Sequence, residues 1–360
     1  MMLAQLRAVE GEGAVTILDF GFCVPIFAAP GLRFFRTPSY AALDTATTMG
    51  LALTAERLGY DALWVADHLM LGRDEAILEG WTILAALAGA TQRARLGLIH
   101  QAHPFRHPAL VAKMTATLDQ LSGGRFTYFL DGGNQRREYL AYGLPWSDDA
   151  DERIALMLDG LTVTCALWSA RGPVTVGAGD YWVVDAVCNP PPIQQPGPPV
   201  WFGGVHPAML RACATVGQGW NTTPVSVAGL RAHLDALEGA CAEAGRDPET
   251  IAKSLEIQVL IAPDRDGLRE QLRTIAALDP DGAAPDPALA AFIAGTTDQP
   301  PPALCETTVI GTPAEVTAQL REYADAGIDH VMLWFLDAPS AAGLTLFAEE
   351  VFPAFREPAG

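Results

Sequence analysis

The sequence predicts an α/β protein of the (β/α)8 (TIM) barrel class, with insertions at the C-terminal mouth. Three observations point there. Eight apolar strand runs alternate with helical patterns along 360 residues, and strands that alternate with helices are parallel, because a parallel return needs a long crossover. Half of the residues are hydrophobic, enough for one large core. The competing fold, a doubly wound sheet with a second domain, needs a Gly-rich dinucleotide turn after its first strand, and Phe22-Cys23-Val24-Pro25 is not one.

Residues 1–16 read as a loose leader and 17–360 as one domain. Ile17–Val24 is the first strand, followed by a loop with prolines and aromatics, Pro25–Tyr40, and a helix, Leu43–Leu58, stopped by Gly59. The second strand is Asp61–Asp67 and its helix Ala76–Ala90; the third is Ala94–His100, with helix Pro108–Leu121 ending at Gly123-Gly124. Arg125–Asp131 is the fourth strand. Helical residues follow at Glu138–Tyr142 and Asp149–Trp168, the latter behind the cap signal Ser147-Asp148-Asp149. A hairpin over Val174–Val184 turns at Gly177-Ala178-Gly179, and a proline-rich surface crossing follows. The last four strands begin near Val200, Gly219, Ser254 and His330, with helices at Pro207–Val216, Val227–Ala244, Gly267–Leu278, Pro313–Ala326 and Ala341–Phe352. Asp264–Leu304 is uneven, rich in Asp, Pro and Ala, and long enough to be an insertion that serves as a mobile lid.

Net charge is −19, with 23 basic against 42 acidic residues. No basic footprint exists for a nucleic acid. No apolar run is long enough to span a membrane, and the N-terminus does not read as a signal peptide. Six scattered cysteines without a CxxC pair read as reduced, mostly buried thiols, which makes the cytoplasm the expected location.

In barrels of this class ligands bind where strands end. Asp67-His68 ends the second strand, and a histidine facing the mouth can take or give a proton near neutral pH. The alternative is an Asp helix cap with a histidine packed over the next loop. His100, His103 and His107 crowd together, but their spacing fits no zinc pattern, so no metal is expected. Gly132-Gly133-Asn134 and Gly203-Gly204-Val205 follow the fourth and fifth strands. Glycines let a backbone approach a flat ring, an Asn amide can bond its edge, and bare N–H groups at a helix start suit a phosphate. Phe34, Phe35 and Tyr40 in the first mouth loop, and Trp220 at the end of the sixth strand, read as walls of a substrate pocket or as ordinary packing.

The runs AERLGYDALWVADHLM, TQRARLGL, FRHPALVAKMTATLDQLSGGRF, REYLAYGLPW, WFGG, GWNTTPVS and GTPAEVTAQLREYADAGIDHVMLWF resemble the luciferase-like family of flavin- or deazaflavin-dependent oxidoreductases. The resemblance covers most of the chain from Leu18 to Phe352. It implies a barrel with a cofactor at the C-terminal mouth, and His68 as the catalytic histidine, with Asp67 orienting it. It also implies His100 under the cofactor ring, Gly132, Gly133 and Asn134 at the ring's edge, and Gly203, Gly204 and Val205 at its phosphate. Members that oxidise sugar phosphates carry a Glu where this chain has Asn134, so that activity is not expected. The leading expectation is a monooxygenase that uses reduced FMN and O2 on a small organic substrate, supplied by a separate NAD(P)H flavin reductase. The alternatives are hydride transfer with a deazaflavin coenzyme (F420) and, from another class, a non-catalytic flavin-binding protein. Family habit leans to a homodimer.

Overall fold

The computed structural model describes residues 17–32, 40–223, 225–281 and 286–356. The proposed leader, and Phe34 and Phe35 of the expected pocket wall, lie outside them. Eight strands form a closed parallel ring: β1 (Asp19–Cys23), β2 (Ala62–Ala66), β3 (Arg95–Ile99), β4 (Phe126–Asp131), β5 (Val200–Gly203), β6 (Gly219–Thr222), β7 (Ala252–Ile261) and β8 (His330–Phe335). Each pairs with the next, and β8 pairs back with β1. The surrounding helices are α1 (Thr45–Leu58), α2 (Gly80–Ala90), α3 (Pro108–Ser122), α4 (Ala150–Ser169), α5 (Pro207–Val216), α6 (Val227–Ala244), α7 (Pro313–Asp325) and α8 (Ala342–Glu350). All eight strands expected from the sequence are the eight staves of the ring.

Side chains alternate across each strand, so one set faces the helices and the other fills the ring. Phe20 of β1 faces out and stacks on Phe352, with Phe347 and Phe355 at its edges. Inside, Trp64, Phe129, Trp201 and His330 pack on one another, with the two indoles 5.4 Å apart. Glycines make the room. A Cβ on Gly97 would lie 2.3 Å from the Trp64 ring, and one on Gly219 2.3 Å from Trp201. The Trp64 indole N–H donates to His330 Nε2 at 2.9 Å. Burial, with Arg95 nearby, pushes the His330 pKa well below the usual imidazole value, so it stays neutral. This plug sits within β2 and β4 and at the starts of β5, β6 and β8, short of the C-terminal strand ends.

Three expectations need correction. The second helix begins at Gly80, not Ala76, because Ile77 pairs with Phe27 and Leu78 N–H donates to the Ile26 carbonyl, in extended conformation. A strand the sequence reading missed, Thr308–Gly311, pairs with the last residues of β7. β7 is ten residues long because its start serves β6 and its end serves this extra strand. Finally, Asp264–Leu304 holds more than the single helix expected over Gly267–Leu278. It holds helices Arg265–Ala277, Pro287–Ala294 and Pro302–Cys305. Leu268, Leu272, Ile275, Leu289 and Phe292 form a separate small core with Leu260, Ile310 and Leu336. Leu32 packs on that core, and Arg73 reaches Asp279 at 3.4 Å, so the insertion joins the loops after β1 and β2.

Candidate active site

His68 stands two residues beyond β2, half-buried, where the sequence placed it. Its Nδ1 lies 2.8 Å from Oε1 of Glu138. Glu138 is 2% exposed and sits on the short helix Arg136–Ala141 that follows β4. Its other oxygen accepts the backbone N–H groups of Leu69 at 2.8 Å and Met70 at 3.3 Å. One carboxylate thus fixes both the imidazole and the backbone that follows it.

Asp67 does not orient His68. Its buried carboxylate accepts from Arg106 through Nη1 at 2.8 Å and Nη2 at 3.0 Å, and from the Ala102 N–H at 3.1 Å. Arg106 also donates to Glu79 at 2.7 Å. Burial opposes the charge on Arg106, but the two carboxylates outweigh it and hold its pKa above the ordinary value. Asp67 therefore clamps the β3–α3 loop to the end of β2.

His100 enters the mouth at a bulge. Gly97 pairs with Thr127, yet Gln101 pairs with Leu130, so four steps on one strand match three on the other. Such an extra residue re-aims its side chain. The Ile99–His100 peptide bond is cis. The ring packs edge-on to Phe129, centroids 4.7 Å apart, with Nδ1 3.8 Å from Asp131 and Nε2 3.9 Å from Glu256. Glu256 is buried inside the barrel and accepts the Trp334 indole N–H at 2.7 Å. The other two histidines go elsewhere. His103 is fully buried against Gly160 and meets the Tyr181 hydroxyl at 3.2 Å. Burial, with His107 nearby, lowers its pKa to about 4. The His107 ring accepts the Ala109 N–H and caps α3.

The two glycine loops lie on neighbouring strand ends. Gly133 has φ +83°, and a Cβ there would strike the buried Tyr139 hydroxyl at 1.9 Å, so packing alone requires a glycine at this position. Asn134 is exposed beside it. Gly203 lies against Phe129 and His100, where a Cβ would sit 3.2 and 3.5 Å from their rings. Gly204 has φ +79°, and a Cβ there would meet nothing within 4 Å. The helix start behind it offers fewer N–H groups than the sequence suggested. Pro207 has none, Ala208 donates to His206, and Gly204 donates to the Asn221 carbonyl.

Two expected pocket residues are packed into the fold. Trp220 is fully buried and its indole N–H donates to the Gly204 carbonyl at 2.8 Å, which fastens that loop from behind. Tyr40 is buried, and its hydroxyl donates to the Pro25 carbonyl at 3.1 Å. Conversely, Glu138, Arg106, Asp131 and Glu256 were not singled out. Each is one charged residue among many in the sequence, and only the ring's closure brings them to one mouth.

An imidazole thus stands at the end of β2, a second at the end of β3, and a glycine loop follows β5. The luciferase-like monooxygenase family matches residues 28–330, and the chain belongs to it. The phthiodiolone/phenolphthiodiolone dimycocerosates ketoreductase of Mycobacterium kansasii is 27% identical over 329 residues, covering 78% of this chain and 88% of that protein. The F420-dependent glucose-6-phosphate dehydrogenase of Amycolatopsis mediterranei is 28% identical over 316 residues, covering 85% and 93%. Among solved structures, an F420-dependent secondary alcohol dehydrogenase in complex with an F420-acetone adduct shares the fold, with a TM-score of 0.73 at 23% identity over 95% of this chain and all of that one. The oxygenating constituent of 3,6-diketocamphane monooxygenase from Pseudomonas putida, in complex with FMN, shares it equally, with a TM-score of 0.73 at 17% identity over 95% and 100%.

Proposed function

We propose that the protein is a deazaflavin-dependent oxidoreductase that interconverts a carbonyl compound and an alcohol, with His68 handling the proton. The observation that carries this reading is the His68 imidazole held by Glu138 at the barrel mouth. Reducing a carbonyl adds one proton to oxygen for each hydride added to carbon, and imidazole suits that exchange near neutral pH. The ketoreductase and F420-dependent dehydrogenase relatives support the choice of reaction and cofactor.

The glycine loops support a flat cofactor with a phosphorylated chain at the mouth. The open side of Gly204 is a cradle that any side chain would fill. His100 and Gly203 would lie against the ring, Gly132, Gly133 and Asn134 along its edge, and Gly204 and Val205 at the phosphate. When bound, a deazaflavin supplies or accepts a hydride without reacting with O2, whereas reduced FMN reacts with it. His68 gives its proton to the carbonyl oxygen on reduction and recovers it on oxidation. Asp67 and Arg106 keep the two neighbouring loops in register.

An FMN monooxygenase fed by a separate flavin reductase is the second reading. The fold shared with the FMN-containing Baeyer–Villiger enzyme favours it, as does Asn134 in place of the Glu of the sugar-phosphate dehydrogenases. A homodimer belongs to either reading, and sedimentation of the loaded protein tests it.

Anaerobic titration of the protein with F420 and with reduced FMN, followed by ketones, secondary alcohols or O2, separates the readings. We expect tighter binding of F420, alcohol oxidation or ketone reduction, and no O2 uptake. Preferential binding of reduced FMN with an oxygenated product would reverse the assignment. Tight binding with no turnover on any of these would favour a binding protein.

A further inference from the structure

We propose that Glu138 is a positioning residue that selects the tautomer of His68. The claim about the tautomer stands on geometry; its kinetic consequence rests on the function proposed above. Three N–H groups converge on this carboxylate. Leu69 and Met70 can only donate, and both reach Oε2. A carboxylate can only accept, so the imidazole atom at Oε1, Nδ1, must carry the proton. In the neutral ring Nε2 is then the acceptor. The neighbouring carboxylate does not compete for this ring, since Asp67 is committed to Arg106 and the Ala102 N–H. The group that sets the tautomer also holds the next two residues of the loop, so the ring and its backbone are fixed by one anchor.

This arrangement makes the isosteric substitution informative. In Glu138→Gln the side chain has one acceptor and one donor end. Leu69 and Met70 N–H still require the oxygen, which turns the amide NH2 toward His68 Nδ1. Nδ1 must now accept, and the proton moves to Nε2. The loop keeps its bonds while the ring inverts its donor and acceptor atoms. The same logic holds for the carboxylate beside the histidine of a serine protease, where an Asn substitution preserves the geometry and yields the wrong tautomer.

The test is 15N NMR of histidine-labelled full-length protein at a pH where His68 is neutral, with His68→Gln used to assign the signal. We expect the Nδ1–H form in the native protein and the Nε2–H form in Glu138→Gln. In turnover with the preferred cofactor, Glu138→Gln should lower kcat by about 10²–10⁴-fold with KM little changed. An Nε2–H form in the native protein overturns the proposal, and this measurement does not depend on the variant folding. A native tautomer retained in a folded Glu138→Gln overturns it too. Inversion with unchanged kcat sustains the tautomer assignment and overturns the catalytic role given to His68.

Discussion

At the scale of single residues, the site is set by which carboxylate meets which base. His68 and Asp67 are adjacent in sequence, and adjacency suggested a pair. The fold separates them: successive side chains diverge at a strand end, and Asp67 meets Arg106 while His68 meets Glu138, 70 residues away. The position of His68 was legible because strand ends can be read from apolar runs. Its partner was not, because a long-range contact leaves no spacing signal. The Asp67–Arg106 pair gives a direct prediction. Arg106→Ala leaves a carboxylate buried with only the Ala102 N–H, which should destabilise the protein by about 3–5 kcal/mol in urea unfolding. Adding Asp67→Asn to that variant should recover part of the loss. A single variant as stable as the native protein would show that the clamp contributes nothing.

At the scale of elements, the eight strands were legible because each is a short apolar run bounded by Gly, Pro or polar residues. Thr308–Gly311 was missed because four residues carry too little periodicity, and its pairing partner is the overhang of β7, which only the ring's geometry creates. In the insertion the helix near Gly267–Leu278 was legible and the two later ones were not. Its Asp- and Pro-rich composition signalled a loop, but two of its Asp residues open helices: Asp264 accepts the Gly267 N–H, and Asp286 those of Ala288 and Leu289. The small core beneath those helices predicts slow amide exchange across Arg265–Ala277, comparable to that of the outer barrel helices. Exchange as fast as that of a free chain would restore the open-loop reading. A lid built this way would move as a packed body about its ends.

At the scale of the whole molecule, two histidines are folded in as neutral groups. His103 has its pKa lowered to about 4, and His330 lies well below the ordinary value. The unfolded chain protonates near pH 6.5. Between that value and the folded pKa the unfolded state binds more protons, so stability is complete above pH 6.5 and falls as the pH drops. His103 alone should remove about 2 kcal/mol between pH 7.5 and pH 5, and His330 acts in the same direction. Urea midpoints across this range measure the effect, and His103→Asn should flatten it. A midpoint independent of pH would mean that the folded rings take up protons as readily as the unfolded ones. No described helix is long and apolar enough to cross a membrane. The barrel class was readable at this scale because repetition survives errors at individual boundaries. The plug was not, because Gly21, Gly97 and Gly219 look like weak points in a strand until the indoles they accommodate are seen.

The plug has an optical consequence. Trp64 and Trp201 are buried in a rigid pair, and Trp334 stands nearer the mouth, bonded to the carboxylate that faces His100. Flavins and deazaflavins absorb where tryptophan emits. A ring seated over His100 would collect the excitation of all three indoles by resonance transfer, so the quenching of intrinsic emission would report occupancy of the mouth without any attached dye.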